Sequence, residues 1–224
     1  MGKHHDHKFS NEGSDYRAAR DDLLTEELKL RRQAEKVTAL RRALPLGGEI
    51  AEDYVFQNLS GEDIKFSELF SDKSPELFIY NFMYPPGGVP CPICTSYMDS
   101  LNGGVTHIEQ YFNCAVIAKA SVEELRAWAG ERNWSNLTFL SSGKTTFNID
   151  YKAEDDQGRQ LMALNTFRKR DDGIFHTWSF ELFYARGDRK PDARHSDQIW
   201  PFWTIYDVTL DGRQSDWSLA YNYD

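Results

Sequence analysis

The spacing of apolar positions changes twice along the chain and marks out its elements. From Asp15 to Leu44 the sequence is dense in Glu, Lys, Arg, Leu and Ala, with no Gly or Pro before Pro45. Within it Leu23, Leu30, Ala34, Val37, Leu40 and Leu44 recur at spacings of seven, four, three, three and four. This predicts one long helix with a narrow apolar stripe and an i,i+4 pair between Glu27 and Arg31. So narrow a stripe suits an arm laid across a domain or against a second copy, as a homodimer contact. The basic residues Arg31, Arg32, Lys36, Arg41 and Arg42 form its wet face.

After Pro45-Leu-Gly-Gly48 the period shortens to two. Tyr54-Val-Phe56 and Asp63-Ile-Lys-Phe66 alternate around Ser60-Gly61 as a hairpin, and Ser67–Phe70 gives a helical turn before the Ser74-Pro75 break. An aromatic run, Phe78-Ile-Tyr-Asn-Phe-Met-Tyr84, predicts a strand, and a helical segment opens at Cys91. Gly103-Gly104 is expected to break that segment, leaving a short helical piece through His107 and Tyr111. A buried strand follows around Cys114. Ser121-Val-Glu-Glu124 is a capping box for a helix carrying Leu125, Trp128 and Ala129 and ending near Asn133. Leu137–Leu140 is the next strand, so the order is that of βαβ units with parallel strands and right-handed crossovers. Leu161–Phe167 and Ile174–Phe180 then form an antiparallel hairpin around Arg168–Gly173. The expected organisation is a disordered tail over 1–14, a helical arm over 15–46, one α/β domain over 47–213 and a C-terminal tail over 214–224.

Composition narrows the function. The chain has 224 residues, 40% hydrophobic and 27% charged, enough for one sizeable core. A net charge of -9 repels nucleic acid and anionic membrane surfaces, so neither is an expected partner. No apolar run has the length of a membrane span, and the N-terminus lacks the order of a secretory signal, which gives a cytoplasmic expectation. Three cysteines make no disulfide framework, in keeping with a reducing compartment. His4, His5 and His7 sit in a polar tail that reads as solvated.

The chemistry concentrates at Cys91-Pro-Ile-Cys94, after the Pro85–Pro90 turn. Pro92 stands where a first helical turn accepts proline. A thiolate at a helix N-terminus faces unpaired N–H groups and the positive end of the dipole, both of which lower its pKa. Cys91 is therefore the candidate nucleophile, and Cys94, one turn deeper, the candidate resolving thiol. Such exchange needs no bound cofactor, only a protein or small-molecule thiol or disulfide substrate and an external thiol reductant. The alternatives are half of a zinc site and a merely structural pair. Zinc would want two more ligands, and the remaining cysteine, Cys114, reads as a small core hydrophobe, so no metal ligands are assigned. Tyr84, Pro90 and Pro92 would line the site. His176, between Phe175 and Thr177, reads either as a proton shuttle for the cysteines or as a core or edge histidine. His107, Tyr184 and Arg186 are lesser candidates, and His195, with Asp192 and Asp197, imposes no metal geometry.

Strand, CxxC-initiated helix, parallel strand, helix and hairpin in this order resemble the thioredoxin fold. Over roughly residues 15–213 the chain resembles a mostly bacterial thioredoxin-like family, domain of unknown function 899, described as predicted dithiol-disulfide oxidoreductases. The resemblance is carried by Arg41-Arg-Ala-Leu-Pro45, Asp53-Tyr-Val-Phe56, Leu69-Phe70, Cys91-Pro-Ile-Cys94, Trp134 with Phe139-Leu-Ser-Ser-Gly143, Phe147-Asn-Ile-Asp-Tyr151, Gly173-Ile-Phe-His-Thr-Trp178 and Tyr184-Ala-Arg-Gly187. It implies a three-layer α/β/α fold with a mixed central sheet and a dithiol activity. Thioredoxins proper carry Trp before the first cysteine, Gly-Pro between the two and a cis-proline before the hairpin. Here Pro90, Pro92-Ile93 and Arg159–Ala163 stand at those places. Typical peroxiredoxins carry Thr or Ser three residues before the reactive cysteine, where this chain has Gly88, so peroxidase activity is the alternative, beside a non-catalytic binding module.

Overall fold

The structure is a computed structural model and describes residues 3–185, 199–213 and 218–223. The predicted loop over 187–197, with Arg186, His195 and Trp217, lies outside the described residues. The chain divides after Pro45 into two units, Met1–Pro45 and Leu46–Asp224.

The first unit is built on the long helix the apolar spacing predicts, α1, Ser14–Arg42. It buries none of its residues, and Leu23, Leu30 and Leu40 of the stripe are exposed. Arg31 approaches Glu35, at 3.9 Å, rather than Glu27. Residues 3–9 turn back along the helix. The Lys3 backbone N–H donates to Asp21 at 3.0 Å, the His4 ring lies 2.8 Å from the Thr25 hydroxyl, and Arg20 sits over the Phe9 ring. Composition points to a free tail here, but carboxylate and hydroxyl groups on the first turns of α1 supply partners that composition does not reveal.

Among its described residues the second unit has seven strands: β1 Val55–Asn58, β2 Asp63–Lys65, β3 Glu76–Asn81, β4 Asn113–Ala118, β5 Phe139–Ser141, β6 Ala163–Arg170 and β7 Gly173–Ser179. Its helices are α2 Pro92–Ile108, α3 Val122–Glu131, α4 Phe147–Asp150 and α5 Pro201–Asp207. The strands form one mixed sheet in the order β2-β1-β5-β4-β3-β6-β7. β3, β4 and β5 are parallel and every other pairing is antiparallel. This β3–α2–β4–α3–β5 unit with the β6–β7 hairpin beside β3 is a thioredoxin-like α/β fold.

Alternation along the central strands splits the core in two. On one face Tyr80, Cys114, Val116 and Leu164 pack under Met98, Leu101 and Val105 of α2 and Leu125 and Ala129 of α3. On the other, Leu77, Ile79, Ala115, Ile117 and Phe167 pack with Tyr54, Phe56, Phe66 and Phe147. Two right-handed crossovers stepping the same way across a sheet put both helices on one face. The third layer is consequently thin: the 3-10 turn Phe66–Leu69 and the four residues of α4.

Two local results bear on the site. Helix α2 runs unbroken through Gly103-Gly104 to Ile108, where the sequence predicts a break. Two glycines cost the helix about 1 kcal/mol each, and the burial of Met98, Leu101 and Val105 on one stripe outweighs that. Helix α3 starts on the predicted box, with the Ser121 hydroxyl accepting from the Glu124 N–H at 3.2 Å and the Glu124 carboxylate from the Ser121 N–H at 2.8 Å. At the sheet edge, residues 47–50 run beside β7, with the Gly47 N–H on the His176 carbonyl at 2.8 Å and the His176 N–H on Gly48 at 3.0 Å. A Cβ on Gly47 would stand 2.8 Å from that carbonyl oxygen, so only glycine lets the backbones approach.

Candidate functional site

The chain leaves β3 through Phe82, whose N–H bonds the Ile117 carbonyl at 2.8 Å, and reaches Tyr84, whose carbonyl accepts from Ala120 at 2.9 Å. The Pro85–Pro90 turn then folds back. Gly87 takes a positive φ of 66° and its N–H donates to the Glu124 carboxylate at 2.6 Å. The Cys91 N–H closes the loop on the Met83 carbonyl at 2.9 Å. This puts Cys91 at the N-cap of α2 in extended backbone, with Pro92 at the first helical position and the Cys91 carbonyl accepting from Thr95 at 2.9 Å. Cys91 is half-buried, whereas Cys94 is 1% exposed.

The two thiols have opposite electrostatics. The Cys91 thiol is pulled down to about 6, first by the Cys94 thiol donating to it and then by the backbone N–H groups of Cys94 and Ile93, against the opposing effect of burial. Cys94 is pushed up, by burial first and then by its neighbour Cys91. The pair therefore divides into one sulfur favouring the thiolate and one holding its proton. Beneath them the fully buried Tyr80 stacks on Tyr97 at 4.8 Å. Its hydroxyl lies against Cys94, and burial raises its pKa.

Of the predicted lining residues, Pro90 is buried immediately before Cys91, Pro92 opens the helix, and Tyr84 packs in the same core as Cys94, 5.8 Å from the Phe82 ring. His176 is not brought to the cysteines. It pairs across the strands with Phe167, packs on Tyr151 and Phe167, and has its Nε2 3.1 Å from the Asn165 side-chain oxygen. That is the sheet face away from α2, where it lines a cleft of about 530 Å³ with Tyr54, Asp150 and Tyr151. Burial lowers its pKa. His107 is exposed in the last turn of α2, and the Tyr184 hydroxyl donates to the Lys152 carbonyl at 3.4 Å. Cys114 is buried in β4, its thiol pushed up to about 12 by burial. Among the described residues no three His, Cys, Asp or Glu side chains stand together as a metal site, and no helix is long and apolar enough to cross a membrane.

Sequence reasoning missed two neighbours of the pair. Tyr80 shares its strand face with Phe82 and Tyr84, so its two-residue spacing was a usable signal. Tyr221, whose hydroxyl donates to the Pro90 carbonyl, follows no period that would have marked it.

No curated protein matches the chain in sequence. Among solved structures it is similar to peroxiredoxin Q of Xanthomonas campestris, at 12% identity and a TM-score of 0.44, over 59% of this chain and 84% of that one. The mitochondrial 2-Cys peroxiredoxin of Plasmodium falciparum is similar at 19% identity and 0.44, over 60% and 81%. The exposed lipoprotein thioredoxin of Streptococcus pneumoniae is similar at 12% and 0.43, over 65% and 97%. In sequence, residues 5–223 match the family described as bacterial protein of unknown function, DUF899, and the chain belongs to that family.

Proposed function

We propose that this protein is a thiol–disulfide oxidoreductase in which Cys91 is the nucleophile and Cys94 the resolving thiol. The observation that carries the reading is the division of the pair: a half-exposed Cys91 that favours the thiolate at the start of α2, over a buried Cys94 that keeps its proton. The Cys91 thiolate attacks one sulfur of a substrate disulfide, forming a mixed disulfide and expelling the other sulfur as thiolate, which takes up a proton. Cys94 gives up its proton and attacks the Cys91 sulfur, releasing the second substrate thiol and leaving a Cys91–Cys94 disulfide. The substrate gains two electrons and the dithiol loses two. An external thiol reductant returns them, and the exchange itself uses no cofactor.

A cytoplasmic address and a homodimer formed through α1 complete the proposal. The exposed Leu23, Leu30 and Leu40 support the dimer. Trapping tests the chemistry. With glutathione disulfide, Cys94→Ser is expected to accumulate a Cys91–glutathione adduct visible by intact mass, while the wild type passes to an internal disulfide and Cys91→Ser does neither. A Cys94→Ser protein that stays unmodified contradicts the assignment.

A further inference from the structure

The C-terminal segment approaches the cysteine pair from the helix side. The Tyr221 hydroxyl donates to the carbonyl of Pro90, the residue before Cys91, and its ring meets Trp128 of α3 edge-on at 5.1 Å. Its own carbonyl accepts from Arg132 at 2.7 Å, and Arg132 is ion-paired with Asp99 of α2. Asp99 also accepts from the Trp134 indole at 2.8 Å, and Leu219 packs against the core that contains Cys94. The segment is thus tied at its backbone to Arg132 at the end of α3, which is itself paired with α2, and at its side chain to the loop that presents Cys91. Val89, two residues before Cys91, is 77% exposed and Ile93, two residues after it, 49% exposed, and both are apolar.

We propose that Tyr221 is a specificity-determining residue that walls one side of Cys91 and restricts the site to low-molecular-weight thiols and disulfides, whose aliphatic arms lie on Val89 and Ile93. The inference rests on the reading of Cys91 as the nucleophile. A disulfide in a folded protein brings chain on both sides of its sulfurs and collides with the strap, whereas a small disulfide needs only the open flank. The Tyr221 side chain is held by a hydrogen bond to a loop carbonyl and a ring contact, and one substitution removes both while the Arg132 bond to its backbone carbonyl stays.

The test compares two maleimides that share one reactive group, N-ethylmaleimide and a polyethylene glycol maleimide, on the full chain, reading the Cys91 peptide by mass spectrometry. In Tyr221→Ala the polymer reagent is expected to react about tenfold faster and N-ethylmaleimide to change less than about twofold, the size of effect expected from about one lost hydrogen bond. Tyr221→Phe, which loses only the hydroxyl, is expected to accelerate the polymer reagent by roughly threefold. It decides the matter if Tyr221→Ala also exposes Cys94 and Cys114 to labelling. Equal acceleration of both reagents, or no change with either, overturns the size limit while leaving the nucleophile in place. A Cys91 that reacts with N-ethylmaleimide no faster than an ordinary thiol, in every variant, overturns both.

Discussion

Two thiols three residues apart are given opposite proton affinities by a difference in depth. Cys91 caps α2 and meets N–H groups and a thiol donor, while Cys94 lies inside the core against Tyr80. Reaction with an alkylating agent requires the thiolate, so its rate rises with pH through the pKa and is flat above it. Cys91 labelling is expected to be half-maximal near pH 6 and to fall about tenfold per pH unit well below that. Because the Cys94 thiol is the largest of the lowering influences, Cys94→Ala is expected to move the half-point up by roughly one to two pH units, the scale of one hydrogen bond to a charged acceptor. A half-point near that of an ordinary thiol in the wild type would contradict the account, as would an unchanged one in Cys94→Ala.

The helices and strands around the pair differ in how plainly the sequence announces them. The Ser121–Glu124 box satisfies the first N–H groups of α3 locally, so that helix start could be read from four residues. The placing of the cysteine pair at a helix start was legible for the same reason: a Pro/Gly turn, a cysteine and a proline at the first helical position all act within one turn of chain. The Gly103-Gly104 pair shows the opposite case. Its local preference is against helix, and the stripe of Met98, Leu101 and Val105 against the sheet prevails over it. No neighbouring atom lies within 4 Å of a Cβ built on either glycine, so Gly103→Ala and Gly104→Ala are each expected to raise the stability of the domain by about 0.5–1 kcal/mol in chemical denaturation. Loss of stability in both would mean that α2 does not continue through them. The face taken by His176 was not legible. A register shift opposite Thr166/Phe167 sets Thr177 outside the pairing, so His176 faces Tyr151 while Trp178, two residues on, packs in the core with Cys94.

At the scale of the whole sheet, the cysteine pair and the cluster of Tyr54, Phe56, Phe66, Phe147 and Phe167 lie on opposite faces. Phe147 is fully buried among Tyr54, Phe56 and Tyr151, with ring centroids 5.3, 5.3 and 4.7 Å away. Phe147→Ala is expected to cost about 3–5 kcal/mol of stability while leaving the pH profile of Cys91 labelling in place in the folded protein, since the sheet separates the two. A shift of that profile would show that the faces are coupled. The central proposal is that Cys91 and Cys94 exchange two electrons as one couple, and equilibration in glutathione buffers of graded ratio, read by counting free thiols, tests this most directly. The account predicts a single two-electron transition with an internal disulfide at its oxidised end, lost in Cys91→Ser and in Cys94→Ser alike. Two thiols that stay reduced across the series, or that only form separate glutathione adducts, would contradict it.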